Sequence, residues 1–390
     1  MRTPAVVLAV VVLHLLPHAA GTAAAQGSLA VQGFGYPPGQ LGTRAAGTAG
    51  ALGETDPTSP LNPASLASWG RAGIFLQYAP EFRTVTLPGR ESSTTTLRFP
   101  LVGAALPIGE HGALGVSAST YLDRSWETEF VDSSFFGADT VAFTENFQSL
   151  GAINDVRVAG AWAFGNAVRV GVGAHLFVGE NRLRVGRVFD DSTFASFEQR
   201  STIGYSGTAV SIGAELRPRD DLAVGLSARF GGKLTATRSD TTIGRANVPN
   251  RYAGGIEFTG LRGTAIGARV SWEEWTRLED LTSSNLVAFD ALDWSVGAET
   301  RGPRVFGRSI PLRGGFRRRT LPFGAGRTGT SSSEPSFEVD ETSISFGFGF
   351  PLAQDRALAD FALQRASRSG PPGGVEERSW IMTFGLTIRP

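Results

Sequence analysis

The chain alternates between apolar and small or polar residues over most of its length. Ile344, Phe346, Phe348 and Phe350 alternate with Ser343, Ser345, Gly347 and Gly349. Trp380, Met382, Phe384, Leu386 and Ile388 alternate in the same way with Ile381, Thr383, Gly385 and Thr387. The pattern recurs over Leu222–Phe230 and Val168–Leu176. Successive side chains of a strand point to opposite faces, so each run predicts a strand with one apolar face. Marking every such run predicts fourteen strands, near 71–82, 93–106, 113–130, 148–164, 167–184, 198–216, 221–236, 250–259, 263–276, 290–301, 308–320, 338–350, 356–367 and 377–389.

The connections add a second regularity. Pro107–Gly112, Gly165-Asn166, Arg217–Asp220 and Gly260–Arg262 are short and rich in the residues that tight turns need. The intervening connections, 131–147, 185–197, 237–249, 277–289, 321–337 and 368–376, are mostly longer and polar. Alternation of short and long connections over an even number of strands predicts a membrane barrel with one end facing the periplasm. A secreted sandwich or propeller has no such one-sided alternation. The fold class expected is all-β: a 14-stranded antiparallel transmembrane β-barrel.

Export is consistent with this reading. Arg2 precedes the apolar run Ala5–Leu16 and a small-residue stretch ending Ala23-Ala-Ala25, which predicts a signal peptide over 1–25. The run is too short for a membrane helix. The location expected is the outer membrane of a Gram-negative-type envelope. Composition agrees: 50 glycines and 26 phenylalanines in 390 residues, no cysteine and 18% charged residues. Zero cysteine excludes disulfides and thiolate chemistry. Thirty-six basic against 36 acidic residues argue against a nucleic-acid partner.

By alternation, Arg157, Arg169, Glu215, Arg229, Glu257, Arg269, Glu273, Glu299, Arg301, Arg313 and Arg317 project inward, as a lumenal network that neutralises itself. Arg317-Arg-Arg319 is expected at the outer rim, at the base of a solvated loop. Trp126, Trp162, Trp272, Trp275, Trp294 and Trp380 fall in or near strands, several where an aromatic girdle belongs. Outside the leader only His111 and His175 remain, which makes a zinc site or a Ser-His-Asp triad improbable. Gly324–Thr330 lacks the lysine of a phosphate-binding loop. No enzyme activity, cofactor or metal is expected.

Residues 26–70 do not alternate; the barrel proper is expected over 71–390. The segment contains Gly33-Phe-Gly-Tyr-Pro-Pro-Gly39, Gly50-Ala-Leu-Gly-Glu-Thr-Asp56, and Asn62, Pro63, Ala64 and Leu66 just before the first strand. A fourteen-strand lumen is wider than its side chains can fill, so a plug is physically reasonable. The Asn62-Pro-Ala64 pattern resembles the N-terminal hatch of FadL-type outer-membrane transporters, which include long-chain fatty-acid and aromatic-hydrocarbon channels and PorV-like proteins of type IX secretion. Val248–Tyr252, Trp272–Trp275 and Gly297–Glu299 followed by Pro311–Gly315 add to the likeness. The resemblance implies a hatch inside the lumen and uptake of hydrophobic small molecules, fatty acids or hydrocarbons. The alternative it implies is a shuttle for secreted cargo protein. Membrane lipid and lipopolysaccharide are the partners expected of the outer wall. Phe130, Phe135, Phe136, Phe143 and Phe147, in and around the second long loop, are candidate ligand-binding residues at an apolar entrance. The third strand, 113–130, has no proline to announce the inward kink that opens a lateral gate in the fatty-acid channels.

Overall fold

The computed structural model describes residues 29–31, 34–87, 90–136, 139–281, 287–305, 307–325, 337–352, 356–369 and 375–389. The expected leader, 1–25, lies outside them. The chain first forms β1 (Gly73–Leu87), β2 (Arg90–Arg98), β3 (Leu101–Ile108), β4 (Gly112–Asp123), β5 (Trp126–Phe136) and β6 (Asp139–Phe164). Then come β7 (Val168–Phe189), β8 (Phe197–Arg219), β9 (Leu222–Arg238), β10 (Thr241–Asn247), β11 (Arg251–Leu261) and β12 (Thr264–Glu273). The last are β13 (Ala291–Val305), β14 (Arg308–Ala325), β15 (Phe337–Leu352), β16 (Ala357–Ser369) and β17 (Glu376–Ile388).

These segments make fourteen strands, because β2–β3, β4–β5 and β10–β11 are each one strand interrupted. Neighbours pair antiparallel, and β1 closes the barrel on β17 from Ile74↔Ile388 to Thr86↔Glu376. Two of the interruptions fall at Pro100 and Pro249, which have no backbone N–H for the ladder. At the short-turn end, Gly165 (φ 63°) and Gly263 (φ 70°) take the left-handed backbone that a tight turn requires.

The outer ends differ from expectation. Residues 131–147 are not a loop: β5 and β6 continue as a hairpin, with register from Trp126↔Ser149 to Phe136↔Asp139. Likewise 237–249 holds β10, paired with β9. Polar and charged residues dominate these extensions, and above the membrane an apolar face is not needed for a strand to continue from a stable ladder. Between β12 and β13, Trp275–Leu281 form a 3-10 turn instead of an outer loop.

The faces sort by chemistry. Val172, Ile212, Ile344 and Phe346 are exposed on the outer wall, while Ser343, Ser345, Ser211 and Arg229 are buried inside. Among the tryptophans, Trp162, Trp272, Trp294 and Trp380 face outward, but Trp275 is buried in the lumen. An apolar belt this continuous is stable only against lipid. No helix among the described residues is long and apolar enough to cross a membrane.

The N-terminal segment lies within the barrel. A short helix, Thr43–Gly47, packs on β14 to β17, and a 3-10 turn, Pro63–Ser68, packs on β4, β6, β7 and β8. Asn62 caps that turn, its side-chain oxygen accepting from Ala64 N at 3.0 Å. Glycine on the inner wall makes room for it: a Cβ at Gly213 would stand 1.9 Å from Asn62 Oδ1, and one at Gly171 2.4 Å from the Pro63 carbonyl carbon.

The outer belt gives a test. Val172→Arg puts a charge on the lipid face and should cost about 2–4 kcal/mol of folding stability in lipid vesicles if the site is near the midplane. Equal stability of the two proteins in denaturant titrations would contradict a lipid-facing Val172.

Candidate functional site

The interior has three parts: an ion-pair lock between the N-terminal segment and the wall, an apolar cluster, and a lapse in the wall. The lock is built where wall arginines at alternate strand positions meet the buried carboxylates. Glu54 accepts from Arg251, from Arg269 Nε at 3.1 Å and from Ser227 Oγ at 2.7 Å. Arg269 and Arg317 share Asp293, at 3.0 and 2.7 Å. Burial alone would raise the Glu54 carboxyl pKa; Arg251 and Arg269 outweigh it and hold the pKa below the usual value. Arg44 joins Glu257 and Glu299 at 3.1 Å, and Arg313 bridges Glu299 and Asp360.

A second knot surrounds Tyr36. Its hydroxyl donates to Glu341 at 3.0 Å and accepts from Arg319 and Arg368. The guanidinium carbons of Arg83, Arg98, Arg319 and Arg368 stand 4.8–5.8 Å from its ring centre. Glu81, Glu341 and Glu377, with Asp123, supply the opposing charge. Arg317 and Arg319 are therefore buried inside the barrel, and only Arg318 of that triplet is exposed. Their carboxylate partners on β13 and β15 draw them inward. Sequence reasoning missed Glu81, Arg83, Arg98, Glu341, Arg368 and Glu377. The two-residue spacing of Glu81 and Arg83, which puts both on one face, was the available signal.

Of the other expected lumenal charges, Glu215 pairs with Arg169 at 2.5 Å, and Arg229 pairs with Glu273. Arg301 is exposed at the short-turn end. Arg157 is buried, and its Nε and Nη1 have no hydrogen-bond partner among the described residues. One arrangement judged improbable does occur: His175 Nδ1 meets Asp155 at 2.8 Å and Nε2 meets Ser211 Oγ at 2.9 Å. Three adjacent strands bring these side chains together on the inner wall, which spacing along the chain does not reveal. Gln40 of the N-terminal segment also binds Asp155, at 2.8 Å, and Ser119, at 2.6 Å. All three members of the arrangement are buried beneath the segment. It acts as a clamp on Gln40. Among the described residues no group of three or more acidic or histidine side chains is placed to hold a metal.

The apolar cluster is assembled from wall, N-terminal segment and inward turn. Trp275 stacks on Tyr121 at 5.2 Å, Tyr121 meets Phe177 at 4.9 Å, and Phe34 meets Phe323 at 4.6 Å. Leu278 and Leu281, carried in by the 3-10 turn, complete it. A cavity of about 70 Å³ lies next to Tyr121 and Trp275 of this cluster, and another of about 50 Å³ lies next to Tyr36, outside it. Benzene has been held in a cavity of about 150 Å³. Neither of these two cavities is large enough for such a guest.

The expected phenylalanine patch divides. Phe143 is buried on the inner face, with the Arg187 guanidinium 4.0 Å above its ring, and Phe147 stacks on Trp126 at 4.7 Å. Phe135 is exposed on the opposite face. The side chains of Phe130 and Phe136 lie outside the described residues.

The wall lapses at the third strand, despite the absence of proline there. The β3–β4 ladder ends at Leu101↔Ser119, with Thr120 N donating to Pro100 O at 3.0 Å. Beyond it, β2 pairs with β1 and β5 pairs with β6, and among the described residues no ladder joins β2 to β5. The physical cause is competition. Asp123 exchanges both backbone hydrogen bonds with Tyr36, at 2.8 and 2.9 Å, and Arg124 N turns to Gly151 O. Arg98, bound to Asp123 at 2.5 Å, spans the lapse.

Neither protein-family profiles nor curated proteins match the sequence. Solved structures do match the fold. A Pseudomonas aeruginosa FadL homologue superimposes with a TM-score of 0.63 at 12% identity, over 91% of this chain and 99% of that one. The Ralstonia pickettii toluene transporter TbuX gives 0.55 at 14% identity, over 90% and 98%. The CymD monoaromatic hydrocarbon channel gives 0.53 at 15%, over 90% and 97%. The chain has the fold of FadL-type outer-membrane channels.

The lock predicts its own pH dependence. A carboxylate whose pKa is depressed on folding stabilises above its ordinary pKa, about 4.3, and that contribution is lost as pH falls through the depressed value. The N-terminal segment should therefore keep its amide-exchange protection from pH 7 down to about 5. At pH 7, Glu54→Gln leaves Arg251 without its carboxylate and should loosen the segment by about 3–5 kcal/mol. Unchanged exchange in the variant would contradict the lock.

Proposed function

We propose that the protein is an outer-membrane channel for the uptake of hydrophobic small molecules, with residues 26–70 as its hatch and 1–25 as the export leader. The observation that carries this reading is the lapse between β2 and β5. It opens the wall beside the apolar cluster, at the residue where the N-terminal segment is hydrogen-bonded to the third strand. An apolar molecule gathered at the outer hairpins, where Phe143 and Phe147 line the inner face, enters the cluster when the hatch yields. It then leaves sideways into the membrane. Nothing in this route needs covalent chemistry; it needs an apolar path and a plug that moves. The structural relatives are a FadL homologue, a toluene transporter and a monoaromatic hydrocarbon channel, which supports the same class of cargo. Asn62, Pro63 and Ala64 seat the hatch against β7 and β8, and Leu66 seats it against β4, in this reading. Membrane lipid and lipopolysaccharide acyl chains cover the outer belt.

Proteoliposomes test it. Intact protein should admit labelled toluene while conducting almost no ions, and deletion of residues 30–66 should raise ion conductance strongly in a lumen of this size class. No toluene entry, or unchanged conductance in a correctly inserted deletion, contradicts the uptake reading. Native mass spectra of protein from its own membrane carry the alternative: a bound polypeptide in place of an apolar adduct would favour the cargo shuttle.

A further inference from the structure

Asp155 on β6, His175 on β7 and Ser211 on β8 stand in line on the inner wall, 2.8 and 2.9 Å apart. A carboxylate only accepts, so Asp155 fixes the ring proton on His175 Nδ1 and leaves Nε2 to accept from the Ser211 hydroxyl. A nucleophile, its base and the group that orients the base are then in place for acyl transfer. Gln40 of the N-terminal segment bonds Asp155, Ser119 and Arg229, so the imidazole and the hydroxyl are not needed to hold it.

Two neighbours equip the line further. Arg157, the cross-strand partner of His175, is buried with Nε and Nη1 free of any hydrogen-bond partner among the described residues. Gly173 lies between them: a Cβ there would stand 2.6 Å from Ser211 Oγ and 3.5 Å from Arg157 Cδ. The missing side chain leaves the hydroxyl and the stem of the guanidinium facing one space. The line also borders the apolar cluster, since the His175 ring stacks on Phe177 at 6.3 Å and both Phe177 and Ala209 belong to that cluster.

We propose that Ser211, His175 and Asp155 are an esterase site inside the barrel, and that its substrate is an apolar carboxylic ester. The proposal rests on the uptake reading, because the guest reaches the line only when the segment yields and Gln40 leaves Asp155. The ester's apolar part lies in the cluster beside Phe177. Ser211 Oγ bonds to the carbonyl carbon while its proton passes to His175 Nε2. The carbonyl electron pair moves onto oxygen, where the free donors of Arg157 stabilise it. As the carbonyl re-forms, the C–O bond to the alcohol breaks and the leaving oxygen takes the proton from His175. Water then gives a proton to His175, attacks the acyl-serine and releases the acid and Ser211.

Hydrolysis of p-nitrophenyl octanoate by full-length protein in proteoliposomes tests the site, with toluene uptake measured on the same vesicles. The wild type should turn the ester over and Ser211→Ala should not. His175→Gln should lower kcat by about 10²–10⁴-fold and Arg157→Met by about 10²–10³-fold. Heat-modifiable gel mobility reports that each variant is folded. Where a variant fails to insert, the wild type decides: a fluorophosphonate, which reacts with an activated serine and not with a merely hydrogen-bonded one, should leave its adduct on Ser211 in peptide mass spectra. Toluene uptake without ester turnover, turnover that survives in folded Ser211→Ala or His175→Gln, or no adduct on Ser211 overturns the esterase and leaves uptake standing. Full turnover in folded Arg157→Met overturns the role given to that arginine. Neither toluene uptake nor ester turnover overturns both readings.

Discussion

In hydrocarbon a backbone N–H or C=O has no water to turn to, and each must find its partner within the protein. That constraint shapes the molecule. It forces the sheet to close, β1 onto β17, and it makes any lapse in the ladder a feature to be covered. At the third strand the cover comes from the N-terminal segment: Tyr36 takes the backbone bonds of Asp123 that a neighbouring strand would otherwise hold. The segment and the lapse in the wall are consequently coupled, because Tyr36 holds the backbone groups of the wall residue beside the gap.

Two different interactions hold the segment in place. Glycines on the inner wall allow close approach at Gly171 and Gly213, where any side chain would collide with Pro63 or Asn62. Buried ion pairs, centred on Glu54 and Tyr36, then fix its position. Such pairs add little net stability against an apolar alternative, yet breaking one partner is costly. They therefore act as a specific latch and not as a general adhesive. The apolar cluster around Trp275 and Phe34 stands beside this latch with little free volume, so a guest must displace part of it.

Much of the barrel was legible in the chain because a period of two survives wherever one face meets lipid. The runs at Ile344–Phe350 and Val168–Leu176 carried that signal without tertiary context. It failed where lipid ends: β10 and the hairpin of β5 with β6 are strands of mixed polarity, held by their neighbours and not by their own pattern. The lapse beside Arg124 was invisible because its cause lies about ninety residues away, in Tyr36. The same holds for Asp155, His175 and Ser211, which only strand register brings together. Asn62 and Glu54 stood inside a segment read as a plug, but their partners on the wall could not be named from spacing.

The central claim is that the segment must move for a guest to pass. The natural chain has no cysteine, so a single engineered pair can be read cleanly. A Cβ at Gly213 lies 3.0 Å from Asn62 Cγ, which places Asn62→Cys and Gly213→Cys within disulfide reach. Uptake of labelled toluene by proteoliposomes carrying this double variant should stop on oxidation and return on reduction. Equal uptake by the cross-linked and reduced forms would contradict a moving plug.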